Sequence, residues 1–279
     1  KMSNINPNAY VEEGAKIGSN VTIEPFAVIK KNVTIEDNVT IKSHAYIDGF
    51  TLIKENATIW PGASIGTKTQ DLKFKGEKTF VEIGKNTEIR EYATINSSCN
   101  ENSKVKVGDN CLIMAYCHIA HNCVIGNNVV MSNSAMLAGH VIIEDFAVIG
   151  GMTPVHQFSR IGKFAMVGGF SRVSKDIPPY TIGGGYPYKI GGLNLVGLKR
   201  KGFSLDVRNE LFKAFKFTYR MGLRLTEALE KIKQELKPTK EILEWTKFCE
   251  SSKRGLIGLE GITKNVTQEQ PLEALSVVK

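Results

Sequence analysis

The sequence predicts a mainly β chain: a parallel β-solenoid of six-residue units, followed by a small C-terminal α-helical domain. Three observations predict it. An aliphatic residue returns at every sixth position over long stretches, a small or β-branched residue stands four places after each, and beyond Pro178-Pro179 both patterns give way to helical spacing.

The aliphatic series begins at Ile5 and continues through Val11, Ile17, Ile23, Ile29, Ile35, Ile41, Ile47, Ile53, Ile59 and Ile65. It breaks near 67–80, resumes at Ile83, Ile89 and Ile95, and breaks again near 96–104. From Val107 it runs uninterrupted to Val173. A period of six matches neither the 3.6 of a helix nor hairpin-linked strand alternation. It suits short flat strands joined by tight corners, with the aliphatic residue inside and Gly, Asn or Asp in the turns. Cys111, Cys117 and Cys123 fall six apart at the small position, so they read as packing residues; Cys99 and Cys249 carry no signal.

A Gly-rich stretch (Gly183-Gly184-Gly185, Gly191-Gly192) follows Pro179. Ser204 then reads as the N-cap of a helix with Val207, Leu211, Phe215 and Thr218 on one stripe. A second helix carries Leu225, Leu229, Ile232 and Leu236. Thr239 caps a third with Ile242, Trp245, Phe248 and Cys249. The partition expected is a β-solenoid over 2–180 with excursions near 67–80 and 96–104, a linker and helical domain over 181–262, and a tail over 263–279. The helices cover the open end of the solenoid, since bare strand edges invite association.

Composition narrows the function classes. With 42% hydrophobic and 23% charged residues in 279, the chain falls in the globular range. No apolar run reaches the roughly 18–20 residues of a membrane span, and the N-terminus lacks an apolar secretory core. Five cysteines without a CxxC pair argue against a disulfide framework or a zinc knuckle. The net charge of +8 points to an acidic partner. Nucleic acid is disfavoured because the aromatics do not interleave with the basic residues.

Of the five histidines, His121, His140 and His156 project within one residue of a single column if a coil is 18 residues, with strands about 4.8 Å apart. His118 sits half a hexad earlier, and His44 reads as a solvated corner residue. Three readings stay open: turn positions that tolerate histidine, a metal site, and an imidazole general base.

The runs His118-Ile119-Ala120-His121-Asn122-Cys123, Leu137-Ala138-Gly139-His140, Gly150-Gly151-Met152-Thr153-Pro154-Val155-His156-Gln157-Phe158 and Gln70-Asp71-Leu72-Lys73-Phe74 resemble the UDP-N-acetylglucosamine O-acyltransferases of lipid A biosynthesis, in the hexapeptide-repeat family. Asn194 to Phe203 and Lys253-Arg254-Gly255-Leu256 agree with them too. The resemblance implies a left-handed parallel β-helix and a cytoplasmic homotrimer without cofactor or metal. It implies transfer of a 3-hydroxyacyl chain from acyl carrier protein to the sugar 3-hydroxyl, the first step of lipid A biosynthesis. His121 matches the general base and Gly139 the oxyanion donor; Gly139 also falls one coil after His121, which places its backbone beside the imidazole.

The same resemblance assigns Asp71, Lys73, His118 and His140 to the glucosamine. It assigns His156, Gln157, Asn194, Arg200 and Lys201 to the uridine and diphosphate, and Gly169 to the limit on acyl length. Three positions depart from some members: Asn122 replaces an orienting aspartate, Val196 a glutamate, and Tyr186-Pro187 an Asn-His pair. Asn122 still accepts an imidazole N–H but brings no charge. For docking of an acidic carrier protein the candidates are Arg160, Lys163, Arg172, Lys213, Lys216 and Arg220. The alternatives carried are N-acylation of a 3-amino UDP-sugar, a trimeric metal-dependent hydratase, and a non-catalytic scaffold trimer.

Overall fold

The computed structural model describes residues 2–259. The expected tail over 263–279 and the last positions of the expected helical unit lie outside the described residues. Three parallel sheets form the walls of a prism. The first stacks strands from Asn4–Ile5 to Met166–Val167, the second from Tyr10–Val11 to Pro154–Val155, the third from Lys16–Ile17 to Arg160–Ile161. Register holds each aliphatic residue above its counterpart: Ile119 pairs with Leu137, and Leu137 with Val155. The stacked side chains fill the interior, where Ile29, Ile47, Ile59, Ile89, Ile113 and Ile125 are all fully buried. Each contributes about 1.5–3 kcal/mol of apolar burial. Cys111, Cys117 and Cys123 are buried in the same core.

The corners are set by backbone conformation. From Asn110 to Phe170 every sixth residue takes positive φ, among them Asn110, Tyr116, Asn122, Asn128, Ser134 and His140, with φ between 54° and 62°. Asparagine tolerates this left-handed region; aromatic residues there are unusual. The aromatic ones stack between coils, as Phe146 on Phe164 at 4.6 Å and Tyr92 on Tyr116 at 5.5 Å do. His44 is an exposed corner residue of this kind, stacked on Phe26.

Both excursions leave at one edge, where the second sheet passes to the third. Strand Ser64–Thr67 precedes the first and Phe80–Ile83 follows it; Thr94–Asn96 and Lys104–Val107 flank the second. Coils that elsewhere advance by 18 therefore pair Ile59 with Ile89 and Ile89 with Ile113. Asn96 and Ser97 bond Thr67, tying the roots of the two loops together.

The Gly-rich segment is not an extended linker. Thr181–Gly184 and Lys189–Leu193 pair antiparallel and extend the first sheet. Four helices follow: α1 (Leu195–Arg200), α2 (Leu205–Tyr219), α3 (Leu225–Glu235) and α4 (Lys240–Glu250). Ser204 and Thr239 cap α2 and α4 as their types suggest. The apolar stripes close on a second core around Trp245, Phe215 and Tyr180.

Helix α4 is clamped to the last coil. Buried Asp176 accepts from the Arg160 backbone N–H, the Arg160 guanidinium and Ser252 Oγ. Arg160 also donates to the Phe248 carbonyl at 2.6 Å. Lys163 pairs with Glu244, which Tyr180 also bonds. Arg160 and Lys163, expected as docking cations, are thus committed to internal contacts. Among the described residues no helix is long and apolar enough to cross a membrane.

Ile113 lies at 0% exposure in the middle of the first sheet. Ile113→Ala is expected to destabilise the solenoid by about 2–5 kcal/mol, because rigid neighbours above and below cannot close the gap. A chemical denaturation midpoint equal to wild type contradicts this packing argument.

Candidate active site

The site grows from the edge that carries the two excursions. Strand His118–Ile119 ends in the corner Ala120-His121-Asn122, and the next coil places Gly139-His140 directly above it. The first excursion brings Asp71 in from one side and the second brings Cys99. Four elements far apart in sequence therefore meet around one imidazole.

Asn122 Oδ1 lies 2.9 Å from His121 Nδ1. A carboxamide oxygen only accepts, so Nδ1 carries the hydrogen and Nε2 the lone pair. Asn122 is itself held by Ser98 Oγ on its backbone N–H and by Asn100 Oδ1 on its amide. His121 Nε2 faces Asp71 Oδ2 at 3.6 Å, too long for a good direct hydrogen bond. The Lys73 backbone N–H bonds Asp71 and, with nearby cationic charge, holds its carboxyl below the usual carboxylate range. A hydroxyl entering between them meets a proton acceptor on one side and a carboxylate on the other.

Gly139 has no room for a side chain. A Cβ there would lie 2.4 Å from His121 Cε1 and 2.5 Å from Nε2. At the same position of some hexads on another edge the backbone N–H is capped by a side chain, as Asp145 caps Asn127 and Glu144 caps Lys163. Among the described residues the Gly139 N–H donates to no acceptor. Glycine at this position keeps both the imidazole and an uncommitted amide in place.

His140 packs edge-on to His121, with ring centroids 5.2 Å apart, and stacks on Phe158 at 4.5 Å. His118 bonds Thr94 Oγ1 through Nδ1 at 2.7 Å. Burial lowers the pKa of both His118 and His140, and His121 adds to the effect on His140.

The three histidines project within one residue of the His121 column, as an 18-residue coil predicts, but among the described residues only His121 and His140 are in ring contact. Register puts Gln157 above Gly139 and Phe158 above His140, so His156 falls one position short of the corner. It is exposed, with Nδ1 3.1 Å from the Gln157 carbonyl.

Asn194, Arg200 and Lys201 lie at a different edge, where the third sheet returns to the first. Asn194 caps α1 through Gly197 N and donates to the Phe164 carbonyl. Arg200 and Lys201 are exposed at the end of α1, and Lys201 reaches over Phe146. Gly169 is on the third edge; a Cβ there would meet the Gly151 carbonyl at 3.3 Å.

Cys99 is the residue that sequence reasoning missed. Its Sγ lies 3.1 Å from Asn122 Oδ1, 3.4 Å from His121 Nδ1 and 3.8 Å from Asp71 Oδ2. Burial and the Asp71 charge push its thiol pKa up, which argues against a nucleophilic thiolate. Lying in a break of the repeat, it had no register to place it.

A three-sided parallel β-helix with an imidazole and a bare glycine amide at one corner defines a hexapeptide-repeat acyltransferase. The profile for bacterial transferase hexapeptide repeats matches residues 1–31 and 104–139, and that for UDP-N-acetylglucosamine O-acyltransferase domain 2 matches 176–257. The acyl-(acyl-carrier-protein)–UDP-N-acetylglucosamine O-acyltransferase of Chlamydia trachomatis is 58% identical over 273 residues, covering 98% of this chain and 97% of its own. That of Chlamydia pneumoniae is 51% identical over 278 residues, covering 99% of each. The solved UDP-N-acetylglucosamine acyltransferase of Bacteroides fragilis superposes with a TM-score of 0.89 at 43% identity, over 91% of this chain and 99% of that one. That of Francisella novicida gives 0.88 at 39%, over 91% and 93%. The chain belongs to the UDP-N-acetylglucosamine O-acyltransferase family, and its solenoid is a left-handed parallel β-helix.

The depressed histidines have a stability consequence. His118 and His140 resist protonation when folded, whereas the unfolded chain takes up protons near pH 6.5. Their contribution is complete above that pH and is lost as pH falls below it. The urea midpoint is expected to drop between pH 7.5 and 5.5, and less steeply in His118→Asn. Parallel pH profiles in the two proteins would rule out His118 as a source.

Proposed function

We propose that the protein transfers a 3-hydroxyacyl chain from acyl carrier protein to the 3-hydroxyl of UDP-N-acetylglucosamine, the opening step of lipid A biosynthesis, with His121 as general base and Gly139 N–H as oxyanion donor. The observation that carries the reading is the pairing at one corner: an imidazole whose Nδ1 is occupied by Asn122, against a glycine whose N–H has no internal acceptor. The sugar hydroxyl donates to His121 Nε2 and its oxygen attacks the thioester carbonyl. Negative charge gathers on the former carbonyl oxygen, where one well-placed N–H contributes about 3 kcal/mol. Collapse expels the carrier thiolate, which takes the proton back from the imidazolium.

Asp71, Lys73, His118 and His140 are proposed to hold the glucosamine. His156, Gln157, Asn194, Arg200 and Lys201 are proposed to hold the uridine and diphosphate, and Gly169 to leave length for the acyl chain. The exposed cations of Arg200 and Lys201 suit a diphosphate. These groups sit on three different edges of one chain, which supports a cyclic homotrimer in which neighbours complete each site. Light scattering is expected to give three times 30.8 kDa. For the acidic carrier protein, Arg172, Lys213, Lys216 and Arg220 remain candidates, and salt is expected to slow transfer. A cytoplasmic location and independence from any cofactor belong to the same proposal.

The test is acyl transfer from 3-hydroxymyristoyl carrier protein to UDP-N-acetylglucosamine. His121→Ala is expected to lose at least about two orders of magnitude in kcat. Gly139→Ala is expected to lose a comparable factor, because its Cβ must displace the imidazole. Transfer at wild-type rate in His121→Ala removes the base assignment. Transfer confined to a 3-amino sugar replaces ester with amide formation.

A further inference from the structure

Cys99 takes no part in the mechanism above, yet its sulfur lies among the groups that orient the base. One ligand atom from each of Cys99, His121 and His140 can be chosen so that all three lie within 4.8 Å of one another. Among the described residues the other four cysteines are buried as well, but three of them point into the solenoid core and Cys249 into the helical core. Cys99 is the thiol placed beside imidazoles.

We propose that Cys99, His121 and His140 form an inhibitory site for a soft divalent cation of the zinc type. Thiolate and imidazole are the ligands such ions prefer, and bond lengths of about 2.3 Å to sulfur and 2.05 Å to nitrogen put the two donors roughly 3.6 Å apart in a tetrahedral shell. Sγ of Cys99 and Nδ1 of His121 are 3.4 Å apart. Asp71 Oδ2, 3.8 Å from the sulfur, stands where a fourth oxygen ligand can complete the shell.

Binding is a ligand exchange without redox change. The Cys99 thiol releases its proton to solvent and the sulfur binds the ion as a thiolate. His121 gives up its hydrogen bond to Asn122 and offers the Nδ1 lone pair instead. The ring hydrogen then resides on Nε2, so the nitrogen assigned to take the sugar proton no longer has a lone pair. The ion silences the base by reversing its tautomer, even with Nε2 left open.

The test has a spectroscopic and a kinetic arm. Titrating the intact protein with Co2+ or Cd2+ is expected to give a thiolate-to-metal charge-transfer band saturating at one ion per chain. Cys99→Ser is expected to abolish the band, and His140→Gln to weaken affinity at least about tenfold. No saturable band, or the same band in Cys99→Ser and Cys99→Ala, overturns the site whatever reaction the enzyme performs. The kinetic arm rests on His121 being the base. Zn2+ is expected to inhibit acyl transfer reversibly, with chelator restoring the rate, and its half-inhibitory concentration is expected to rise at least about tenfold in Cys99→Ser relative to that variant's own metal-free rate. A thiolate band without inhibition overturns the inhibitory role, and equal Zn2+ sensitivity in wild type and Cys99→Ser overturns the assignment of Cys99 to it.

Discussion

The parallel register between coils is the constraint on which the rest of this molecule depends. Backbone hydrogen bonds from each strand to the next place residue after residue over the same position of the coil below. An isoleucine that is inside in one turn therefore demands an aliphatic residue in the next, which is why the six-residue period is so regular. The same ladder determines which polar groups become neighbours. Gly139 lies against His121 for the reason that Leu137 lies over Ile119. Core packing and site geometry are two readings of one alignment.

Corners give the solenoid its chemistry. A left-handed backbone at most corners turns side chains outward at the edges, while the interior stays apolar. At several corners the exposed amide is capped by a neighbouring side chain; among the described residues Gly139 N–H has no such cap. The two excursions leave and return at the edge where the imidazole sits, so their insertion costs the core nothing. They surround His121 with Asp71, Cys99 and the groups that hold Asn122.

The residues proposed for the reaction do not share one face of a single chain. The imidazole edge, the edge with Arg200 and Lys201, and the edge with Gly169 point in different directions from one convex prism. A solenoid has no cleft of its own, so a substrate-sized site needs a second surface. The helical cap adds one at the end of the stack, where Arg160 and Asp176 lock it to the last coil. Cations that looked free in the sequence are internal ties there.

Much was legible from residue order alone. The six-residue period determined the solenoid, its interior, the packing role of Cys111, Cys117 and Cys123, and the stacking of Gly139 on His121, because register turns sequence distance into spatial distance. Helix caps at Ser204 and Thr239 were readable because capping is local. The reach of that arithmetic ended at a single residue: a two-position offset separates His156 from the column of His140 and turns it away from the corner. Where the repeat breaks, no arithmetic applied. Only the tertiary structure brought Asp71 and Cys99 to His121, turned the Gly-rich stretch into a strand pair, and committed Arg160 to Asp176. Those contacts join segments with no common period, and the physics that selects them is the filling and hydrogen bonding of a surface that exists only once the coils have stacked.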